Sequence, residues 1–319
     1  MPINRRHSRH PGLVYNGKPE TFTGKWSKGM DTIQRRHFLK LAAGLLGTGM
    51  LARAGEENTP FRTISYNVLA FRGFPKTDAT RSRLEGACDR HPEMTAEALA
   101  AFTPDIVTLQ EGPSEALVKR FAKALGMRYA YFPGGWEGNA EYPGGFPGAI
   151  VTRFDIVASE NRPTAGAAHD EILFTRHLGR AELDTPFGRL HVVSTHFHAQ
   201  KHEVRMLEAA AIVALITKLR ETGSVLLQGD LNHRPDAPEY KVWVEAGLVD
   251  IGARQGIGEQ PTAPSIRPRS RIDYIWTTPE LAARARHAEV LDKPPFIPEP
   301  EDPSTSALSD HLPMLAAFG

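Results

Sequence analysis

Short apolar runs alternate with charged or glycine-rich stretches from residue 60 to the C-terminus. Seven of these runs are rich in Val, Ile, Leu and Tyr and are bounded by Gly, Pro or Asp, which is typical of β-strands. They cover residues 62–69, 105–110, 148–152, 190–195, 224–228, 272–276 and 311–317. Helical spacing of apolar residues predicts three helices, at 93–102, 114–125 and 201–221.

Helices and strands are mixed along the whole length, and several neighbouring strands lie too close in sequence for a crossover helix between them. This order predicts an α/β fold with mixed, largely antiparallel sheets and helices outside them. There is no internal repeat and no low-complexity linker, so residues 55–319 are predicted to form a single domain. Two stretches rich in Gly, Pro and Asp, 133–148 and 252–270, are predicted to be functional surface loops.

The first 54 residues differ from the rest, because they contain ten Lys or Arg residues and two acidic residues. Arg35 and Arg36, with Phe38 and Leu39 after them, precede a short apolar stretch at 41–52, and a small-x-small cleavage site follows. These features predict a twin-arginine-type signal peptide in an N-terminal extension, residues 1–54. The protein is therefore expected to be exported to the periplasm or the extracellular space of a bacterium.

Two alternatives for this extension stay open. Met30 can be the true start, which leaves a short n-region of ordinary length before the paired arginines. In the other alternative, the extension is a poorly ordered basic tail with no targeting role.

Composition excludes several classes of protein. Residues 55–319 hold 28 basic and 35 acidic side chains, a net charge of −7, which gives no support for the broad basic face that grips duplex DNA. No apolar run reaches the roughly 18 residues that span a bilayer, so no transmembrane segment is expected after signal cleavage. The single Cys88 excludes an internal disulfide and any multi-cysteine metal site.

Polar side chains stand at the ends of the predicted strands. If these ends meet at one rim, they gather the carboxylate, amide and imidazole groups that suit a hard divalent cation such as Mg²⁺. Taken singly, each residue has a plain structural reading as a solvated strand end, an Asx turn, a cap or a salt-bridge partner. The residues are Asn67, Glu111, His196, Asp230, Asn232, Asp273, Asp310 and His311.

Six motifs follow one another in a fixed order between residues 64 and 314. They are Tyr-Asn, Pro-Asp-Ile-x-x-Leu-Gln-Glu, Ser-Thr-His, Gly-Asp-Leu-Asn, Arg-Ile-Asp-Tyr-Ile and Ser-Asp-His-x-Pro. This series resembles the endonuclease/exonuclease/phosphatase superfamily, the metal-dependent phosphodiesterases related to pancreatic-type deoxyribonuclease and sphingomyelinase. The resemblance implies a four-layer α/β sandwich, with two mixed β-sheets packed face to face and helices on both outer faces.

The resemblance also implies a cofactor and a reaction. The cofactor is Mg²⁺ or Mn²⁺, with Glu111 as its principal ligand, Asn67 beside it as a ligand or a phosphate contact, and Asp310 in or behind the metal shell. The reaction is hydrolysis of a phosphoric ester, most simply a phosphodiester, by in-line attack of an activated water.

Five further residues take catalytic roles by the same resemblance. Asp230 orients and deprotonates the attacking water, and Asn232 holds water or phosphate. His311 contacts the scissile phosphate, with Asp273 bonded to its other ring nitrogen. His196 donates a hydrogen bond to the phosphate or the leaving group. The sequence leaves open whether Asp230 or His311 is the general base.

Departures from one branch of the superfamily narrow the substrate. Members that repair abasic DNA carry a polar residue where this chain has Leu69, Thr-Lys where it has Gly112-Pro113, and a tyrosine where it has His196. The histidine resembles the branch of sphingomyelinases, deoxyribonucleases and related secreted phosphodiesterases. The expected partner is a phosphoester substrate: nucleic acid, a phospholipid head group or a small phosphodiester. No stable protein partner is implied.

Candidate substrate contacts come from two cations and one aromatic loop. Arg180 and Arg153 sit in or after apolar, strand-like stretches and can add positive charge. Trp136, Tyr142 and Phe146 belong to the glycine-rich loop and can stack on a base or enter a lipid surface.

Two other functions compete with this interpretation. A zinc-dependent hydrolase can use the cluster His196, His198 and His202, although the usual acidic residue beside the last histidine is replaced by Lys201. A non-catalytic binding protein can use the same scaffold, although the intact set of acidic and histidine residues disfavours a decayed site.

Overall fold

Two mixed β-sheets pack face to face, with helices on both outer faces, in a computed structural model that describes residues 13–15, 60–75, 90–112, 114–135, 145–162, 173–299 and 305–319. The predicted α/β sandwich is thereby confirmed. No helix of the described residues has the length and apolar character needed to cross a bilayer. Residues 16–59, which carry the predicted export signal, lie outside the described residues, so export stays a prediction.

The first sheet contains two parallel central strands, β2 and β3, among antiparallel neighbours. Its spatial order is β1 (Leu13–Tyr15), β4 (Arg128–Phe132), β5 (Gly148–Thr152), β3 (Ile106–Gln110), β2 (Phe61–Asn67), β13 (Met314–Phe318) and β12 (Ala285–Val290). A 3₁₀ turn at Leu69–Phe71 follows β2.

The second sheet has one parallel pair, β8 with β9, and antiparallel pairing elsewhere. Its order is β10 (Val249–Asp250), β11 (Asp273–Thr277), β9 (Ser224–Asp230), β8 (Gly188–His196), β7 (His177–Thr185) and β6 (Asp155–Asn161).

Helices cover the outer face of each sheet. The first sheet is covered by α1 (His91–Ala100) and α2 (Glu115–Leu125), and the second by α3 (His202–Leu219) and α4 (Pro238–Glu245). The ends of α2 follow from local chemistry: the Ser114 side chain accepts a hydrogen bond from the Leu117 N–H, and Gly126 closes the helix at φ +67°. Two short helices, α5 (Ile251–Arg254) and α6 (Pro279–Ala282), complete the described set.

All seven predicted strands and three predicted helices have counterparts, with ends shifted by a few residues. Nine of the described strands and α-helices were not predicted, and three of these strands have a clear physical reason. The strand β6 is an exposed edge, and β7 and β12 interleave charged residues with apolar ones, so none of them forms an apolar run. The remaining six are the strands β1, β4 and β10 and the helices α4, α5 and α6.

The space between the sheets changes from apolar to polar along the strands. At one end, Phe61 stacks on Phe187 and Phe318, with ring centroids 4.6 and 4.8 Å away. Towards the other end, fully buried polar side chains face each other across the sheets, and the Thr63 hydroxyl donates to Gln228 Oε1 at 2.8 Å. The sandwich therefore has one polar end.

The predicted surface loop at 252–270 is largely ordered. It begins in α5 and ends in a β-hairpin closed by the bridge between Ala263 and Ser270, named here the 263–270 hairpin. After it, Arg271 forms a buried two-point ion pair with Asp250, at 2.6 and 2.7 Å. The other predicted loop, 133–148, is described only at 133–135 and 145–148, so Trp136 and Tyr142 lie outside the described residues.

The Arg271–Asp250 pair gives a stability prediction. Asp250→Ala leaves the guanidinium buried without its counter-charge, and we expect the free energy of unfolding to fall by about 3–5 kcal/mol in urea denaturation. Glu97→Ala is the matched control, because it breaks an ion pair with Arg90 that is 64–68% exposed. The control is expected to cost less than about 1 kcal/mol. Equal losses in the two variants would contradict the prediction.

Candidate active site

The strands of both sheets deliver polar residues to the same end of the sandwich. In the second sheet, Asp230 at the end of β9 lies opposite His196 of β8 and opposite Asp273 of β11. In the first sheet, Asn67 ends β2 beside the end of β3, and Glu111 follows β3 directly. Side chains alternate between the faces of a strand, and these five point into the space between the sheets.

Asn67 joins the two sheets at this end. Its Nδ2 donates to Glu111 Oε1 and to Asp230 Oδ2, both at 3.1 Å. Its Oδ1 accepts the Leu69 N–H at 3.1 Å, which fixes the orientation of the amide. Asn67 is fully buried, so its amide is held between two carboxylates with no access to bulk water.

His311 and Asp273 form a buried histidine–carboxylate pair. His311 Nδ1 lies 2.9 Å from Asp273 Oδ2, and His311 Nε2 lies 3.6 Å from Asp230 Oδ2. Burial opposes protonation of His311, but the carboxylates of Asp273 and Asp230 outweigh it and raise the pKa of His311 well above its usual value. Because Nδ1 is committed to Asp273, Nε2 is the nitrogen that faces the site.

Thr262 holds the backbone next to both members of this histidine–carboxylate pair. Thr262 is fully buried, and its Oγ1 accepts the backbone N–H groups of Ile272 and Asp273, each at 3.2 Å. The carbonyl of Thr262 accepts the N–H of Leu312, the residue after His311, at 2.7 Å. One residue thus fixes the backbone on both sides of the histidine–carboxylate pair.

Asp230 is contacted from several directions. Burial would raise its pKa, but His196 and His311 act in the opposite sense and hold the pKa of Asp230 well below its usual range. His196 Nε2 lies 3.2 Å from Asp230 Oδ2, and the Asn232 N–H donates to Asp230 Oδ1 at 3.1 Å. The Asn232 amide nitrogen donates to the Phe197 carbonyl at 3.0 Å, which ties the loop after β9 to the end of β8.

Arg176, which the sequence analysis did not single out, lies in the same group. Its guanidinium hydrogen-bonds to His196, lies 3.9 Å from Glu111 Oε1, and packs over the Phe146 ring at 4.2 Å. Burial and the Arg176 charge lower the pKa of His196. The signal in the sequence was a cation immediately before His177, the first residue of β7.

His177 supports the group that contains Arg176 and His196. Its Nε2 contacts the Ser194 hydroxyl at 3.1 Å, and burial lowers its pKa to about 3, so the ring is neutral. A Cβ on Gly148 would lie 2.1 Å from the same ring nitrogen. Glycine is therefore required at Gly148 for the first sheet to approach His177.

Asp310 adds a third carboxylate near Glu111 and Asp230. Burial raises the pKa of Asp310, and the negative charges of Glu111 and Asp230 raise it further, although His311 opposes them. Three carboxylates that repel one another's charge form a donor set suited to a divalent cation. Asp230, Asp273 and His311 also each offer one ligand atom within 4.8 Å of the others. The residues present therefore fit a hard metal ion.

A family model for the Endonuclease/Exonuclease/phosphatase family matches residues 64–311, the span that contains every residue of this group. The chain belongs to this family. Its name covers nucleases and phosphatases, which are enzymes that hydrolyse phosphoric esters.

Similar proteins agree with the family. An Escherichia coli K12 protein, "Uncharacterized protein YbhP", is 26% identical over an alignment of 206 residues, and the match covers 58% of this chain and 76% of that protein. Among solved structures, a mannosyl-6-phosphatase from Bacteroides thetaiotaomicron is 20% identical with a TM-score of 0.62, and the match covers 80% of this chain and 98% of that one. TDP2 from D. rerio, complexed with single strand DNA product, is 21% identical with a TM-score of 0.57, covering 82% and 100%. These likenesses show the shared fold.

Arg180 and Arg153 were proposed from the sequence as substrate contacts, but they do not lie among the residues of the family motifs. Arg180 lies on the outer face of β7, where its Nη1 is 3.6 Å from Glu182 Oε2, whereas His177, three residues earlier, faces inward. Arg153 pairs with Asp105 at 2.7 Å, at the end of β3 opposite to Glu111.

The three histidines of the zinc alternative have separate partners. His196 faces Asp230, His198 Nδ1 accepts two backbone N–H groups just before α3 at 3.1 Å, and His202 Nδ1 lies 2.8 Å from Glu239 Oε1. These contacts commit one nitrogen of each ring in a different direction. The described structure does not form them into a common ligand set.

His233 braces the loop after Asp230. Its Nε2 accepts the Trp243 indole N–H at 3.1 Å, its Nδ1 contacts the Arg234 carbonyl at 3.2 Å, and its ring stacks on Tyr274 with centroids 4.9 Å apart. The bond from Trp243 requires a neutral ring. Burial accordingly lowers the pKa of His233 to about 4.

This contact predicts acid sensitivity. The unfolded chain protonates His233 near the usual pKa of about 6.5, whereas the folded chain does so only near pH 4, so the unfolded state binds more protons between these values. The free energy of unfolding should therefore fall from pH 7 to pH 4, by about 3 kcal/mol from this side chain. Urea denaturation of His233→Gln should show a shallower fall than the parent protein. Exposed His287→Gln is the control, and identical profiles for parent and His233→Gln would refute the account.

Proposed function

We propose that the protein hydrolyses a phosphoric ester, and specifically a phosphodiester, by in-line attack of a water molecule, with Mg²⁺ or Mn²⁺ as cofactor. The observation that carries the proposal is the set of contacts around Asp230. One carboxylate oxygen faces Asn67, His196 and His311 within 3.6 Å, and all four side chains are buried between the sheets. Phosphoryl transfer needs positive groups around the phosphate and one positioned acceptor for the water, and this arrangement supports both.

Each residue has a distinct task in the proposed reaction. Asp230 accepts a hydrogen bond from the attacking water and orients it. His311 donates from Nε2 to a phosphoryl oxygen, because its Nδ1 is held by Asp273. His196 donates to the phosphate or to the leaving group. The exchange of protons between Asp230, His311 and the water is compatible with either residue as the general base.

Arg176 adds to these groups a positive charge that is fixed in place. Its contacts with Glu111, His196 and the Phe146 ring restrict the guanidinium, so the charge is set before substrate arrives. Electrostatic stabilisation is most effective when it costs no reorganisation during the reaction. We assign Arg176 the role proposed from the sequence for Arg180.

The cation would be held by Glu111, with Asn67 and Asp310 beside it. When bound, a divalent cation supplies positive charge to the phosphoryl oxygens. We assign Glu111 rather than Asp273 as the principal ligand because Asp273 and His311 already bond each other at 2.9 Å. Asn67 then orients the carboxylate of Glu111 towards the site through its 3.1 Å hydrogen bond.

A first experiment tests the catalytic assignment. Asp230→Asn and His311→Asn should each lower kcat on bis-p-nitrophenyl phosphate by about a thousandfold or more, because each removes a base or electrostatic group. The matched controls are Asp236→Asn, 77% exposed in the same loop, and His287→Asn, 55% exposed; both should keep parental kcat. Thermal melting checks that the variants fold. Near-full hydrolysis of every phosphodiester by Asp230→Asn would overturn the assignment of Asp230 as the residue that orients the attacking water.

A second experiment tests the metal. Dialysis against EDTA should abolish hydrolysis, and Mg²⁺ or Mn²⁺ should restore it, because the ligands proposed here are oxygen atoms. Zn²⁺ should not restore it. Restoration by Zn²⁺ alone, lost on His198→Gln or His202→Gln, would instead support the zinc-dependent hydrolase.

A further inference from the structure

The 263–270 hairpin is fastened directly to the segment that carries His311. The Ser265 N–H donates to the Asp310 carbonyl at 2.7 Å, and the Ser265 hydroxyl donates to the Ser309 carbonyl at 2.6 Å. Ser265 is itself buried, so the base of the hairpin is fixed against the residues just before His311.

The tip of the hairpin carries two exposed cations, Arg267 and Arg269. Neither forms an ion pair or a side-chain hydrogen bond with another described residue. The two arginines nearest to the site behave differently, since Arg271 is paired with Asp250 and Arg176 with Glu111. Residues 55–319 carry a net charge of −7, so the two cations differ in sign from the domain that holds them.

The tip is held in a costly backbone conformation. Arg267 has φ +57°, a left-handed conformation that costs an ordinary residue about 1–2 kcal/mol, and Pro268 fixes the next φ. Such a conformation persists when the surrounding structure determines it, and it is concentrated where ligands are bound. Arg267 is two residues from Ser265, so its Cα lies within about 7 Å of the Ser265 Cα.

We propose that Arg267 and Arg269 bind a second phosphate of the substrate, next to the phosphate that is cleaved. The substrate class is therefore a single-stranded polyphosphodiester. This inference rests on the proposed function, because it takes the group around Asp230 as the place of cleavage. Arginine suits the task, since its planar guanidinium binds phosphate through two parallel hydrogen bonds.

Charge and surface character favour a single strand over the alternatives. A duplex needs a broad basic face, which an acidic domain with two local cations does not provide. A lipid surface needs exposed apolar side chains beside the cations. The large apolar side chains exposed among the described residues are Val157, Leu207 and Val244, and none of them belongs to the hairpin.

Binding measured without metal tests the proposal independently of activity. Fluorescence anisotropy of a labelled oligothymidylate in EDTA should give a Kd about tenfold weaker for R267Q/R269Q than for the parent protein. The slope of log Kd against log salt concentration should decrease by about 1.4, because two phosphate contacts are lost. R220Q, an exposed arginine after α3, should match the parent protein in both respects. An unchanged Kd and salt slope in R267Q/R269Q would overturn the proposal.

Activity in the presence of Mg²⁺ separates this inference from the proposed function. Hydrolysis of bis-p-nitrophenyl phosphate by the parent protein tests the proposed function alone. For R267Q/R269Q, kcat/KM should fall about tenfold more on the oligonucleotide than on bis-p-nitrophenyl phosphate, which has no second phosphate. An equal fall on both substrates overturns the inference. A fall confined to anionic phospholipid vesicles also overturns it, in favour of a lipid surface.

Discussion

The amide of Asn67 bridges two buried carboxylates, Glu111 from the first sheet and Asp230 from the second. Removing a carboxylate from water costs several kcal/mol unless neighbouring groups compensate its charge. Here the compensation comes from Asn67, from two imidazoles and from Arg176. The two sheets can close over these acids only because each sheet supplies partners for the other.

The polar end also constrains the core beneath it. Thr63 reaches Gln228 across the sheets, and His177 reaches Ser194 along the second sheet, all of them fully buried. Buried polar pairs add little net stability, and an unpaired member is costly. The apolar half, where Phe61 stacks between Phe187 and Phe318, must therefore supply most of the packing energy. The apolar packing that stabilises the fold and the candidate active site therefore lie at opposite ends of the same two sheets.

The fold class was predictable from the sequence because β2, β3, β8 and β9 are apolar strands that each end in a polar motif, and the apolar strand β11 begins with Asp273. The histidine–carboxylate pair was predictable in the same way. Arg176 was not, because it precedes a strand whose charged residues hide its period. Arg180 lies three residues after His177 on β7, and residues an odd number of positions apart along a strand point to opposite faces, so its side chain lies on the outer face. The hydrogen bonds of Thr262 could not be predicted from the sequence either, since they join segments that are distant in sequence.

Residues outside the shared sandwich fold must select the substrate. A phosphatase and a protein solved with single-stranded DNA have the same sandwich at about 20% identity, so the sheets do not encode the substrate. In the proposed reaction, the groups around Asp230 act on the phosphoryl oxygens, which every phosphoric ester has in common. Only residues at the rim contact the rest of a substrate, and the 263–270 hairpin is the described rim segment attached most directly to His311. In our proposal, the charges of Arg267 and Arg269 discriminate between esters that present the same scissile group.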